Sequence, residues 1–453
     1  MARSQQLRAW FEAAPLLSQR RIFIFWLPLA ASWLLMAGEM PFVNAALARL
    51  DDAERMIAAF GIVGSLSLTI ESPVIMLLAT STALAANRQS YAMLRRFTQH
   101  LMLLTTLVHI LIGWTPVFDV VVRGWMEVPE NLIEPVRLGM RLMIFWSASI
   151  AWRRFMQGLL IRYGATRFVG QGTLIRLLTS AGVATVLAVS GRLPGIAVGG
   201  VALASGVIIE ALYAQRAARP VIQRQFGSSV PQAETPPLTY ANLVRFHAPL
   251  GASTLLYLLT QPMISAALSR LPNPEPALAA WAVAAGLLFL ARSPVMALPE
   301  VIIARLGAGA ARPALRLFSL RTGLMCMAVL ALVIFTPLGG LYFGRLIGVD
   351  ANLTRLAVAS VQIAVLLPFI VALQNWFRGE LTAARATPAI TLAMLANLTT
   401  MLLVLAWGVA YQVPGARLPG LALTFSVSVE TLTLWAASRR VRAQRQSLAL
   451  AQG

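Results

Sequence analysis

Twelve stretches of this chain are apolar over enough residues to cross a hydrocarbon layer of about 30 Å, at about 1.5 Å of helix per residue. They lie near 21–48, 55–83, 97–117, 134–160, 167–189, 194–214, 239–268, 276–304, 316–338, 354–377, 387–410 and 418–438. Backbone N–H and C=O groups inside lipid must be paired within the segment, so each stretch is expected to be a helix. Composition agrees: 58% of the 453 residues are hydrophobic and 12% are charged, against about a quarter charged in soluble domains. The expected fold is an all-α membrane protein with twelve transmembrane helices.

The net charge of +20 comes with an excess of arginine over acid, and every one of the 37 basic residues is arginine. Most sit in short loops: Arg3, Arg8, Arg20 and Arg21 before the first span, Arg88, Arg95 and Arg96 after the second, Arg153, Arg154, Arg162 and Arg167 around the fourth-to-fifth turn, and Arg439, Arg440, Arg442 and Arg445 at the end. Alternate loops carry acids, as in "RLDDAER" (49–55) and "MEVPENLIEP" (126–135). Arginine-rich short loops face the cytoplasm. The expected location is the inner membrane of a bacterium, multi-pass, with both termini cytoplasmic, and the arginines are topogenic rather than a nucleic-acid surface. The first 21 residues lack a short apolar core with a small-residue cleavage site and do not read as a signal peptide; Trp10 and Phe11 are expected along the interface. The single Cys326 excludes an internal disulfide framework and zinc-type spacing.

A polar stretch, 214–240, has the Pro, Ser, Gln and Gly content of a linker and divides the chain into two lobes, 1–213 and 241–453. The lobes read as repeats. "FWLPLAAS" (25–32) matches "FHAPLGAS" (246–253), with Pro28 and Pro249 221 residues apart, and that register persists without a gap. Pro41 falls on Pro262, "ESPV" (71–74) on "RSPV" (292–295), Thr115 and Pro116 on Thr336 and Pro337, and Gly158 on Gly379. Six spans per lobe keep both lobes in one orientation, so the expected pseudo-two-fold runs along the membrane normal, with a cavity between the lobes.

The charges inside the spans are the candidate site. "LARSPVMALPE" (290–300) holds Arg292 and Glu300, and Arg292 corresponds to Glu71 of span two, each followed by Ser-Pro. A charge at a helix centre costs roughly 2.5–3.5 kcal/mol on insertion scales and persists where it finds a partner or water. Two readings are open: Glu71 and Arg292 form an inter-lobe latch, or pair locally with Glu300 as the nearby acid for Arg292; alternatively they line the cavity and meet substrate or a coupling ion. Pro73 and Pro294 free a carbonyl and bend their helices beside the charges, and Pro41 and Pro262 do so in spans one and seven; all four are candidate hinges. Glu39, Asn44 and Gln261 form a polar rim or tie the kinked helices together. Glu430, an acid central in span twelve, is a functional candidate, whereas Glu210 is expected to reach Arg216 or water. Arg153 and Arg154 read as snorkelling, and His100, His109 and His247 as packing or capping residues. No metal or catalytic constellation is present.

No phosphate loop, H-E-x-x-H or G-x-S-x-G pattern occurs, so an enzyme is not expected and transport would draw on ion or substrate gradients. The sequence resembles the progressive ankylosis protein family within the multidrug, oligosaccharidyl-lipid and polysaccharide flippase superfamily, the MATE-like fold. The resemblance rests on "RFHAPLGAS" (245–253) with "QPMISAALSR" (261–270), "ERMIAAFGIVGSL" (54–66), Pro294 with Glu300, "LIGVDANL" (346–353) and "PGLALTFSVSVETLTL" (419–434). It implies two six-helix bundles, efflux of a small anion such as citrate, pyrophosphate or a nucleotide, and cavity roles for Asn44, Pro262, Pro294, Glu300 and Glu430. The chain departs from the family in lacking lysine and in carrying Glu71 where a small residue is expected. The reading is a secondary transporter exporting a small organic or phosphorylated anion by alternating access. The alternatives are a cation-coupled multidrug extruder and a flippase for a lipid-linked precursor. No bound cofactor is expected, with coupling to H+ or Na+; the partners are the anion and membrane lipids, and the expected state is a monomer.

Overall fold

The computed structural model describes residues 18–227, 238–306, 312–384 and 386–451, and everything it describes as regular is helical. Trp10, Phe11 and the centre of the linker lie outside the described residues. The helices are α1 (Gln19–Leu47), α2 (Ala53–Ile75), α3 (Leu77–Leu84), α4 (Arg88–Trp114), α5 (Glu130–Leu142), α6 (Trp146–Arg162), α7 (Arg167–Ser190) and α8 (Gly195–Phe226) in the first half. The second half holds α9 (Tyr240–Leu258), α10 (Thr260–Ser269), α11 (Pro274–Arg292), α12 (Leu298–Arg305), α13 (Arg312–Phe335), α14 (Ala351–Ile363), α15 (Leu367–Ala383), α16 (Thr387–Ala410) and α17 (Leu418–Ala451).

Polar side chains at loop junctions start these helices. Asn87 and Ser90 form a reciprocal capping box at α4, and Asp350 accepts from the Leu353 N–H at 2.7 Å to open α14, each satisfying an orphan donor of the first turn. Once started, the apolar runs persist because lipid offers the backbone no other partner. Large apolar side chains such as Leu178, Val186, Val189, Leu392 and Leu403 are exposed on the outer surface. In water such a surface would be an aggregation liability, but in a bilayer it is the solvent-facing side. The chain is a multi-pass membrane protein.

Among the described residues, nine helical segments are long and apolar enough to cross a membrane, ten when the bent pair α14 and α15 (41°) counts as one. The two remaining expected crossings are helical but interrupted. At 134–160 the first half carries Glu134, Arg137 and Arg141 and breaks between Leu142 and Trp146; at 239–268 the helix breaks at Leu259. The stretch read as a linker from 214 is helical to Phe226, because its alanines, arginines and glutamines are good helix formers. The helices also break beside candidate hinges: α2 ends two residues after Pro73, α10 begins two residues before Pro262, and Pro294 sits in a 3-10 turn, Ser293–Ala297, between α11 and α12. Pro41 lies within continuous α1.

The two halves meet along α2 against α9, α10 and α11, and along α1 against α11 and the 3-10 turn. Two hydrogen bonds sit in these seams. The Trp26 indole donates to the Pro294 carbonyl at 3.0 Å, and His247 Nε2–H donates to the Pro73 carbonyl at 2.8 Å. Trp26 and His247 are 221 residues apart, as are Pro73 and Pro294. His247, read from sequence as isolated, also has Nδ1 at 2.8 Å from the Thr80 hydroxyl, so it bridges α3, the α2 kink and α9.

Candidate functional site

The interior charges of the first half form one network. Glu39 of α1 takes a bidentate contact from Arg176 of α7, with Nε to Oε1 at 2.9 Å and Nη2 to Oε2, and accepts from the Ser180 hydroxyl at 2.7 Å. Glu210 of α8 pairs with Arg153 of α6 at 2.6 Å, accepts from Gln157 at 3.1 Å, and lies 3.9 Å from Arg176. Glu71 of α2 accepts from the Trp146 indole at 2.7 Å, while the face of that indole carries the Arg176 guanidinium at 5.5 Å. Arg153, Arg154 and Arg176 lie close enough to act on the Glu71 carboxylate electrostatically. Close helix approach permits the network: a Cβ on Gly206 would sit 2.0 Å from the Ser180 hydroxyl that holds Glu39.

The second half holds two smaller clusters. Glu430 of α17 takes Arg378 of α15, with Nε at 3.0 Å, and the Asn397 amide of α16 at 2.8 Å. Glu380 of α15 pairs with Arg312 at 2.6 Å and with Arg442 at 3.6 Å, and accepts from Ser438 at 2.8 Å. In each half an acid of the last long helix is therefore tied to the two preceding spans.

The structure places the expected residues unequally. Glu39 is buried within the first half and does not meet Gln261, which is half-buried in α10. Asn44 donates to the Ala282 carbonyl across the seam at 3.4 Å, and its own carbonyl oxygen is buried with no partner. Glu210 reaches Arg153, Gln157 and Arg176 instead of Arg216, and Glu430 is held inside its lobe. Arg153 is buried in an ion pair instead of snorkelling. Glu300 is exposed on the first turn of α12. The 3-10 turn separates it from Arg292, so the two no longer share one helix.

Glu71 and Arg292 do not form an ion pair with each other: the carboxylate is taken by Trp146. Among the described residues Arg292 has no carboxylate within salt-bridge distance; its Nε is buried without a hydrogen-bond partner, and its guanidinium lies 5.7 Å from the Phe289 ring centroid. Arg154 is the other interior arginine without an ion pair, its Nε likewise buried and unpartnered. The residue equivalent to Arg154 at the 221 register is Asn375, which donates to the Val295 carbonyl at 2.8 Å beside Arg292. The first half thus sets three arginines, 153, 154 and 176, against three glutamates, 39, 71 and 210; Arg292 is a cation with no such counterpart.

The partners Arg176, Arg378, Arg312, Glu380 and Trp146 were not singled out from sequence. Arg176 had the signal, a charge mid-way along an apolar helix, as Glu39 and Glu430 did. Trp146 had none, because an indole in an apolar run reads as packing until an acceptor is found beside it.

No protein-family model matches the sequence, and no curated protein matches it. Solved structures do match. An inward-facing multidrug resistance MATE family transporter of the MOP superfamily is similar over 92% of this chain and 99% of that one, with TM-score 0.71 and 11% identity. The lipid II flippase MurJ, in an inward closed conformation, is similar over 91% and 87%, with TM-score 0.68 and 9% identity. A MOP superfamily transporter from Pyrococcus furiosus, described by the reverse polarity of its binding pocket, is similar over 93% and 96%, with TM-score 0.64 and 13% identity. The chain has the MATE-like fold of MOP superfamily transporters. At such identities the likeness is one of fold, and the substrates of those proteins remain theirs.

Proposed function

We propose that this protein is a secondary transporter working by alternating access, and that it exports a small organic or phosphorylated anion of the citrate, pyrophosphate or nucleotide class. The observation that carries the substrate class is Arg292. A buried guanidinium with an unpartnered Nε and no carboxylate is costly in a membrane interior, and such a charge is kept where it meets a mobile counter-ion or water. A substrate anion supplies that counter-ion in turnover. Glu71, a buried carboxylate held by one hydrogen bond and no direct ion pair, is the coupling residue in this reading, for H+ or Na+.

The moving parts are two six-helix lobes, 1–213 and 241–453, as repeats about an axis along the membrane normal, with twelve crossings and both termini cytoplasmic in a bacterial inner membrane. The constant register and the paired seam contacts of Trp26 and His247 support the repeat; the arginine bias supports the orientation. The monomer and the kinship with the progressive ankylosis family belong to the same proposal.

A groove of about 580 Å³ favours a second reading. It runs between the termini-side end of α1 and α12, lined by Arg21, Phe25, Pro28, Leu29 and Arg305, with the Arg305 guanidinium 4.7 Å from the Phe25 ring centroid. Apolar walls with two cations suit an amphiphile bearing phosphate, as a lipid-linked precursor does.

One experiment separates the readings. Purified protein in liposomes is assayed for uptake of citrate, pyrophosphate, ATP and an organic cation, and for flipping of a labelled polyprenyl pyrophosphate. Uptake of a soluble anion that is lost in Arg292→Gln is the expected result. Transport of the organic cation alone would overturn the anion proposal, and flipping without soluble uptake would replace it with the second reading.

A further inference from the structure

The loops on the face away from the Gln19 end of α1 carry two arginines in the same arrangement. Arg49, just past α1, donates from Nη1 to the carbonyl of Ala45 in its own helix, then across to the other half: to the Ile347 carbonyl at 2.9 Å and, from Nη2, to the Leu346 carbonyl at 3.1 Å. Arg270, just past α10, donates from Nη1 to the Ala266 carbonyl at 2.8 Å, then across from Nη2 to the Trp125 carbonyl at 2.5 Å, with Glu127 at 3.0 Å. Arg49 and Arg270, Ala45 and Ala266, Trp125 and Leu346 are each 221 residues apart. Each half reaches into the other with the same residue, anchored on the same turn of its own helix.

The acceptors are also built alike. Trp125 and Leu346 lie at the ends of two π-helical turns, Asp119–Trp125 and Leu341–Ile347. Carbonyls at a helix C-terminus lack intrahelical donors and carry partial negative charge, which suits a guanidinium fork. The turns end in left-handed residues at equivalent places, Glu127 (φ 50°) and Gly348 (φ 92°). At Gly348 a Cβ would lie 3.3 Å from Arg49 Nη1, so the missing side chain leaves room for the guanidinium. At Glu127 the side chain instead becomes a second acceptor for the opposite arginine. The Asn131 amide, donating to the Glu275 carboxylate, closes the same face.

We infer that Arg49 and Arg270 form a two-fold clasp that locks this mouth of the inter-lobe cleft shut and is released when the lobes rock to open it. This rests on the alternating-access reading but not on the substrate. Every cross-lobe bond of the clasp goes to backbone carbonyls or a surface carboxylate, so the arginines shed them into water without leaving a charge stranded in lipid. The own-helix bond to Ala45 or Ala266 keeps each guanidinium aimed while its lobe moves.

The test reads accessibility, not transport. Asn44 is buried under the clasp at the seam. In a Cys326→Ser background, Asn44→Cys is labelled with a membrane-impermeant maleimide added on the clasp side. Arg49→Ala with Arg270→Ala is expected to raise the labelling rate by roughly tenfold or more, each single change less, since every arginine removed takes away charge-assisted bonds present only in the closed state. Lysine at both positions, which keeps the charge but not the fork, is expected to fall between. Parental labelling in a folded double-alanine variant would overturn the clasp. If that variant does not fold, the lysine pair decides: labelling equal to the parent overturns the inference, and elevated labelling supports it. Failure of every anion in the uptake panel would leave this result standing.

Discussion

Glu210 shows how a single intramembrane charge is neutralised and what its removal would do. Its carboxylate is fully buried and is shared by Arg153, Gln157 and, at longer range, Arg176. Glu210→Gln leaves Arg153 buried without its acid, which typically costs about 3–5 kcal/mol. The expected outcome is a large fall in the thermal unfolding midpoint in detergent, with the surviving protein still transporting. A stable protein that has lost transport would move Glu210 from the scaffold to the site. The same reasoning ranks Glu430. Arg378 is a quarter exposed and Asn397 donates to the other oxygen, so Glu430→Gln strands a cation that reaches water and should lower the midpoint less than Glu210→Gln does.

At the scale of helices, close approach is what brings these charges together. Gly206 lets α8 lie against α7, where Ser180 and Arg176 both hold Glu39; a Cβ there would also meet the Arg176 carbonyl at 3.1 Å. Gly206→Ala is expected to push the two helices apart and cost about 1–3 kcal/mol, read as a lower unfolding midpoint that Ser180→Ala partly restores. No restoration would place the strain elsewhere. The helices themselves were legible in the sequence because length and apolarity leave a chain in lipid no alternative. The 221-residue register was legible because prolines and glycines recur in step, and the contacts of Trp26 with Pro294 and His247 with Pro73 keep that step. The partners of the charges were not legible. Glu39 and Arg176 are 137 residues apart, and which face of α7 meets α1 is decided by packing at positions like Gly206 rather than by any spacing along the chain. Broken crossings were hidden for a related reason: α5 carries as many charges as a surface helix, and only its neighbours in space reveal that the chain continues into α6.

For the whole molecule the decisive question is whether opposite charges at equivalent places serve each other or a third party. Orientation comes first: cysteines at 51–54 and at 273–276 are expected to label from one side of the membrane and together, since both loops carry the clasp face. Labelling from opposite sides would abolish the parallel repeat. Given that orientation, Arg292→Gln is expected to abolish anion transport while leaving stability near the parent, because no carboxylate is paired with Arg292 in this closed-mouth state. Adding Glu71→Gln should not restore transport, since the substrate still lacks its counter-charge. A latch formed only in the opposite state predicts a different pattern: each single change would shift the balance of states by losing the pair there, and the double change would bring transport back. Uptake and clasp-side labelling measured on the same three variants separate the two. Transport regained by Arg292→Gln with Glu71→Gln would make the charges partners of each other and end the role of Arg292 as an anion site; transport still absent, with labelling unchanged, leaves the anion as the counter-ion Arg292 otherwise lacks.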